Sequence, residues 1–294
     1  LGQPAGNRVA TIHQTFVPIP EPPRISSVAE LNGERDRVVA ELRQKTFNAF
    51  PRKQTPPDIQ VEFEFEDENE YGFRFAFTSE DGWRLHGRLC RPKNMGLPMP
   101  VLIAPRLPGD GRNDTRSFLY SIPFRGARVE FEPRGTGDTA WGEELNWHVR
   151  RAAAWTGRTI ASMRVWDTLR LLTALRSLPK IGDGQFSLAA REHAAAFVAY
   201  AALLDGQIGT LFLKSPPGTQ NAPGEKDGSG PALEMLYCLR ITDLPEVVGL
   251  LFPTRIVVAG ELPESYKWAR ELYARLGAPD NFLHVEDFSR IASA

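Results

Sequence analysis

The chain of 294 residues has only two cysteines, Cys90 and Cys238. Two thiols so far apart exclude a disulfide framework and a cysteine-ligated zinc site, and both read as buried thiols. An excess of basic charge is also missing, since 35 Lys and Arg stand against 36 Asp and Glu. The net charge of −1 leaves no basic field to attract nucleic acid or an anionic membrane. No apolar run approaches the length of a membrane-spanning helix. The first residue is Leu1 rather than Met, and no basic segment followed by an apolar one marks a leader. Secretion with a leader removed and excision from a longer polypeptide both fit that start. Histidine is scarce: His13, His86, His148, His193 and His284 are all there are.

What is present supports a real core. Hydrophobic residues make up 42% of the chain, enough for one large α/β domain with an N-terminal extension, or two small ones. Residues 1–28 contain closely spaced prolines and read as an extended arm or linker. Residues 29–47 place Leu31, Val38, Val39, Leu42 and Phe47 at helical spacing, which predicts an amphipathic helix. The expected division is therefore an arm, linker and helix over 1–60 and a body over 61–294. Val61 to Glu66 alternates apolar and acidic residues, as a half-exposed strand does. Its acidic face is hard-cation-like at best, a solvated face is the better reading, and no metal or cofactor is expected. Segments 73–78 and 83–91 flank Ser79-Glu80-Asp81-Gly82 and predict a hairpin.

From residue 99 onward, apolar strands alternate with helical patterns. Strands are expected at 99–104, 128–132, 186–190, 208–214, 255–260 and 282–286. Helices are expected at 146–178, 194–205, 232–239, 244–251 and 265–276. Such alternation implies a mostly parallel sheet covered by helices on both faces. Residues 215–231, rich in Pro, Gly and polar groups, predict a loop. With 112–124 it should supply most of the walls of any pocket.

The organising stretch is 186–205. A short apolar run is followed by Arg191-Glu192-His193 and then by a long run of small and apolar residues. That order predicts a buried strand, a tight turn and a buried helix. The frame Ala190-Arg191-Glu192-His193-Ala194 resembles the G-x-S-x-G elbow of α/β-hydrolases, with Glu192 at the serine position. Two further segments support the resemblance. Residues 132–139, EPRGTGDT, resemble the D-x-R-G-x-G-x-[ST] loop of that superfamily. Residues 239–260 resemble the approach to the acid-bearing strand in bacterial acetylxylan esterases and related deacetylases.

The resemblance covers roughly 73–288 and implies an α/β-hydrolase fold with a mostly parallel central sheet. It also implies a carboxylic-ester hydrolase acting on small esters or carbohydrate esters. Its chemistry requires an elbow nucleophile, an acid after the late strand and a histidine after the last strand. Glu192 stands at the first position, and Glu261 and Glu264 are candidates for the second. No histidine follows 282–286, because His284 lies within the strand. His193 is the one histidine near the elbow, although neighbours in such a turn point apart. His148 could line a cleft, with a surface helix the plainer reading. Backbone N–H groups of 105–111, with those at the start of the elbow helix, could form an oxyanion hole. Glu192 could act as a carboxylate nucleophile or, beside Arg191, form a structural ion pair at an enclosed elbow. The missing serine and histidine suggest a second reading, a catalytically silent hydrolase unit. Such a unit would follow a catalytic one in the same polypeptide and bind or scaffold beside it.

Overall fold

The computed structural model describes residues 4, 6–8, 21–53, 55–179, 181–221 and 234–291. Nine strands form a single sheet in the order β1-β2-β3-β5-β4-β6-β7-β8-β9. Strands β1 (Gln60–Glu66), β2 (Glu70–Glu80) and β3 (Trp83–Pro92) are antiparallel, and β3 meets β5 (Ala127–Glu132) antiparallel. From there β4 (Val101–Pro105), β5, β6 (Phe186–Arg191), β7 (Thr210–Lys214), β8 (Arg255–Ala259) and β9 (Phe282–Val285) run parallel. Both thiols, Cys90 and Cys238, are free and buried. Among the described residues no helix is long and apolar enough to cross a membrane.

The period-two pattern of the parallel strands separates two cores. Val101, Ile103, Leu188, Ala190, Leu211, Leu213, Ile256 and Val258 face the larger one. Leu102, Ala104, Ala189, Phe212, Val257 and Ala259 face the smaller one, which α2 (Asp114–Tyr120) closes with Phe118 and Leu119. Helix α1 (Val28–Glu41) and the wider turn Leu42–Thr46 pack on the larger core through Leu31, Val38 and Leu42, with Ile25 and Phe47 beside them. Ser27 starts α1 by accepting a hydrogen bond from Glu30 N. Helix α5 (Ala194–Asp205) is apolar all round and buried along residues 194–204. It packs in the larger core, its alanines interspersed with the buried Phe197, Tyr200 and Leu203.

Three expectations change. The single helical region 146–178 is two helices, α3 (Glu143–Trp155) and α4 (Ile160–Arg176). Gly157, at φ +73°, ends the first, and Thr159 begins the second with a reciprocal cap to Ser162. The described part of 232–239 is no α-helix: a turn with Tyr237 left-handed at φ +69° leads into a single 3-10 turn at Cys238–Arg240, and residues 232–233 lie outside the described residues. Strand β1 is exposed along nearly its whole length rather than on one face, because it lies at the sheet edge and bulges between Val61 and Phe63. Helices α6 (Leu244–Gly249) and α7 (Lys267–Arg275) stand where the pattern put them.

A buried ion-pair network holds the loop after β5. Asp167 on α4 has no exposed surface and accepts from Arg134 N, Nε and Nη2 and from Ser79 Oγ, at 2.6–3.1 Å. Arg134 Nη1 reaches Glu80 at 2.5 Å, and Arg158 Nη1 approaches Glu80 at 3.0 Å. Buried charge costs a great deal unless every partner is in place. Here each carboxylate meets a guanidinium, and Arg134 is held firmly protonated by Asp167 and Glu80.

Candidate functional site

The elbow keeps its backbone geometry while changing its chemistry. Strand β6 ends at Arg191, Glu192 turns left-handed at φ +53°, and α5 begins two residues later. A long L side chain pays about 1–2 kcal/mol for that conformation. Glu192 N donates to Lys214 O at 3.0 Å, so the turn is fastened to the end of β7. Ala190 and Ala194 are both buried and supply the small flanks that the tight turn needs. Ser215, at the end of β7, is left-handed as well, at φ +47°.

A cleft of about 430 Å³ lies against the elbow, lined by Asp114, Ser117, Phe118, Ser121, Arg191, Glu192, Lys214 and Ser215. Its walls come from 112–124 and from the start of 215–231, as expected; residues 222–231 lie outside the described residues. The elbow is open rather than enclosed, for the Glu192 side chain is 62% exposed. The expected ion pair with Arg191 is present but long, Nη1 to Glu192 Oε1 at 3.9 Å, and largely open to solvent on the Glu192 side. Arg191 directs Nη2 to both carboxylate oxygens of Asp110 at 2.8 Å.

Asp110 also organises the loop expected to offer an oxyanion hole. Its Oδ2 accepts from Leu107 N and from Thr115 Oγ1, both at 2.9 Å. Gly111 N donates to Asp114, Arg106 N to Phe131 O and Asp110 N to Leu107 O. The N–H groups of Arg106, Leu107, Asp110 and Gly111 are therefore already bonded within the loop or to β5. An oxyanion hole needs donors that are free and aimed at the reacting oxygen.

The histidines do not complete a relay. His193 caps α5, and its Nε2 is buried with no hydrogen-bond partner. Burial, with help from Arg164, pushes its imidazole down to about 4, while Asp110 acts in the opposite direction. No hydrogen bond joins His193 to Glu192 among the described residues, and His193 does not line the cleft. His284 lies in β9 and is exposed, with Nε2 2.8 Å from Gly260 O. His148 is exposed on α3. After β9, where the relay histidine would come, Phe288 turns inward between Phe118 and Phe212, at centroid distances of 6.2 and 5.8 Å.

Glu261 is exposed after β8, with no charged partner among the described residues, and it does not line the cleft. Glu264 is also exposed, 4.0 Å from Lys267. Asp110 and Ser215 were not singled out in the sequence. Asp110 stands in a glycine-rich loop, and nothing local signals a partner 81 residues away. Ser215 opens a proline-glycine segment whose composition spoke only of a loop.

One group could geometrically hold a cation. His86, Glu132 and Asp138 offer donor atoms within 4.8 Å of one another. Arg74 already bonds Asp138 at 2.5 Å and Glu62 at 2.9 Å, while Arg106 bonds Glu132 at 3.1 Å. An ion there would have to displace two guanidinium groups. The arrangement works as a cross-strand ion-pair network beside a cavity of about 180 Å³.

No family model matches the sequence, and no curated protein does. Solved structures do match. One is a Bacteroides fragilis protein assigned as an acetyl xylan esterase, with a TM-score of 0.76 and 13% identity over 96% of this chain and 82% of that one. A glucuronoyl esterase from Solibacter usitatus gives a TM-score of 0.62 at 12% identity, over 92% and 94%. An acetyl xylan esterase from Paenibacillus sp. R4 gives 0.56 at 15% identity, over 97% and 94%. The chain has the α/β-hydrolase fold in the form these carbohydrate esterases share.

Proposed function

We propose that this α/β-hydrolase domain is catalytically silent and binds carbohydrate or carbohydrate ester beside a catalytic hydrolase unit of the same polypeptide. The observation that carries the reading is the isolation of Glu192. Its carboxylate stands exposed at a left-handed elbow, without an imidazole in hydrogen-bond contact. The engaged N–H groups of Arg106, Leu107, Asp110 and Gly111 and the inward Phe288 support the same reading. A binding domain keeps the cleft and gives up the relay. The likeness to carbohydrate esterases supports the class of ligand.

The second reading is a carboxylic-ester hydrolase working through Glu192, favoured by the strained elbow that persists without serine. Its carboxylate would attack the ester carbonyl, forming a mixed anhydride as the alcohol leaves with a proton from water. A second water would then cleave the anhydride and restore the carboxylate. That second step needs a base, and neither His193 nor Glu261 lines the cleft to provide one.

Hydrolysis of p-nitrophenyl acetate by the purified domain, beside Glu192→Gln and His193→Ala, separates the two. The silent reading expects wild type and both variants to match the background rate. Turnover by wild type that disappears in Glu192→Gln would overturn it in favour of a carboxylate elbow.

A further inference from the structure

Helix α3 carries an exposed aromatic ladder that the elbow does not use. Trp147, Arg151 and Trp155 stand four residues apart, so they follow one another along the same side of the helix over about 12 Å. Trp155 is 81% exposed and Trp147 is 45% exposed. The Arg151 guanidinium lies between them, 5.2 Å from the Trp147 ring centre and 5.7 Å from that of Trp155. It is exposed and meets no carboxylate among the described residues. Beside the ladder runs a groove of about 460 Å³, walled by α3, the start of α4 and Glu234-Met235-Leu236. Both walls belong to segments that leave the C-terminal ends of β5 and β7, the end of the sheet where Glu192 stands.

We propose that the Trp147–Arg151–Trp155 ladder binds an acidic polysaccharide, stacking sugar rings on the two indoles and pairing a uronate carboxylate with Arg151. The proposal rests on the carbohydrate-binding reading of the domain and gives it a surface. Exposed large apolar side chains that cluster mark binding surfaces, and Trp147 and Leu236 are both exposed along this groove. A pyranose ring offers an apolar face of C–H groups, whose partial positive charge suits the negative face of an indole. Arg151 adds the second requirement. Its guanidinium already lies within cation–π distance of both indoles, which limits the side-chain freedom lost when a carboxylate arrives. The alternation of ring, cation and ring matches a chain molecule carrying both apolar faces and carboxylates. A neutral glycan would use the indoles and leave Arg151 idle.

Affinity electrophoresis of the whole chain through gels containing glucuronic-acid-substituted xylan, and through gels containing the same polymer with its carboxyls reduced, tests the proposal. Wild type should be retarded by both and more strongly by the acidic polymer. Trp155→Ala, at a site too exposed to affect folding, should weaken retardation about tenfold in apparent Kd, the loss of one stacked ring. Arg151→Gln should abolish the preference for the acidic polymer while retaining binding to the reduced one. Absence of retardation in wild type, or equal retardation in wild type and Trp155→Ala, would overturn the proposal. Self-association that Trp155→Ala removes, without glycan retardation, would assign the ladder to a protein partner instead. None of these variants touches the elbow, so their failure and a failure of the silent-domain reading in the ester assay are read separately.

Discussion

Arg191 holds Asp110 through both carboxylate oxygens at 2.8 Å, and so ties the elbow to the loop that follows β4. The guanidinium also lies 5.7 Å from the Phe118 ring centre, which helps fix its plane. The residue preceding the nucleophile position thus serves as a clamp on the rim of the cleft. With the clamp closed, the backbone N–H of Leu107 stays on Asp110 and does not face an incoming ester.

Replacing Asp110 with Ala would leave Arg191, Leu107 N and Thr115 Oγ1 without their acceptor. Asp110 is nearly buried, so the expected loss is about 3 kcal/mol in urea unfolding. A loss below about 1 kcal/mol, within the range of exposed ion pairs, would show that the clamp holds nothing.

Glu192 should be replaceable by glycine with a gain. Glycine adopts positive φ without steric cost, so Glu192→Gly should raise stability by up to about 1 kcal/mol, read from the denaturant midpoint. A loss of similar size would mean that the carboxylate makes a contact the domain needs.

His193 predicts a pH response with a definite sign. Its imidazole titrates near 4 in the folded state against about 6.5 when unfolded, so the unfolded chain takes up the proton first. The contribution of neutral His193 is fully present above about 6.5 and is lost as pH falls from there toward 4. Unfolding free energy measured across that window should fall less steeply in His193→Gln than in wild type. Equal slopes would place the acid sensitivity elsewhere.

Phe288 should count as a core residue despite its place near the end of the described chain. It is fully buried, and Phe288→Ala should cost about 3–5 kcal/mol. A loss under 1 kcal/mol would show that the turn after β9 is not docked on Phe118 and Phe212.

The sequence made the strands and the elbow legible because their patterns are local. Residues 101–105 and 256–259 are unbroken apolar runs, and the alanines of 194–205 admit little but a buried helix. The order of these runs alone implied the parallel sheet. What stayed hidden depends on partners remote in the chain. Arg191 lies beside Glu192 in sequence, yet its charge is taken by Asp110, which itself holds loop N–H groups. The division of 146–178 turned on Gly157 and the Thr159 cap, which weigh little against the helical residues on either side. Phe288 gave no signal because one aromatic after a strand is as consistent with a solvated tail as with a core.

The N-terminal strap has a consequence for the order in which a nascent chain can finish folding. Pro23 O accepts from Trp268 Nε1 at 3.2 Å, and Ile25 O accepts from Arg275 Nη1 at 2.8 Å. Residues 23 and 25 thus find their seat on α7, which is made 245 to 250 residues later. Until α7 emerges, Ile25 has part of its surroundings missing and must wait in water or in the care of a chaperone. The strap is made well before its seat and cannot be secured until α7 exists.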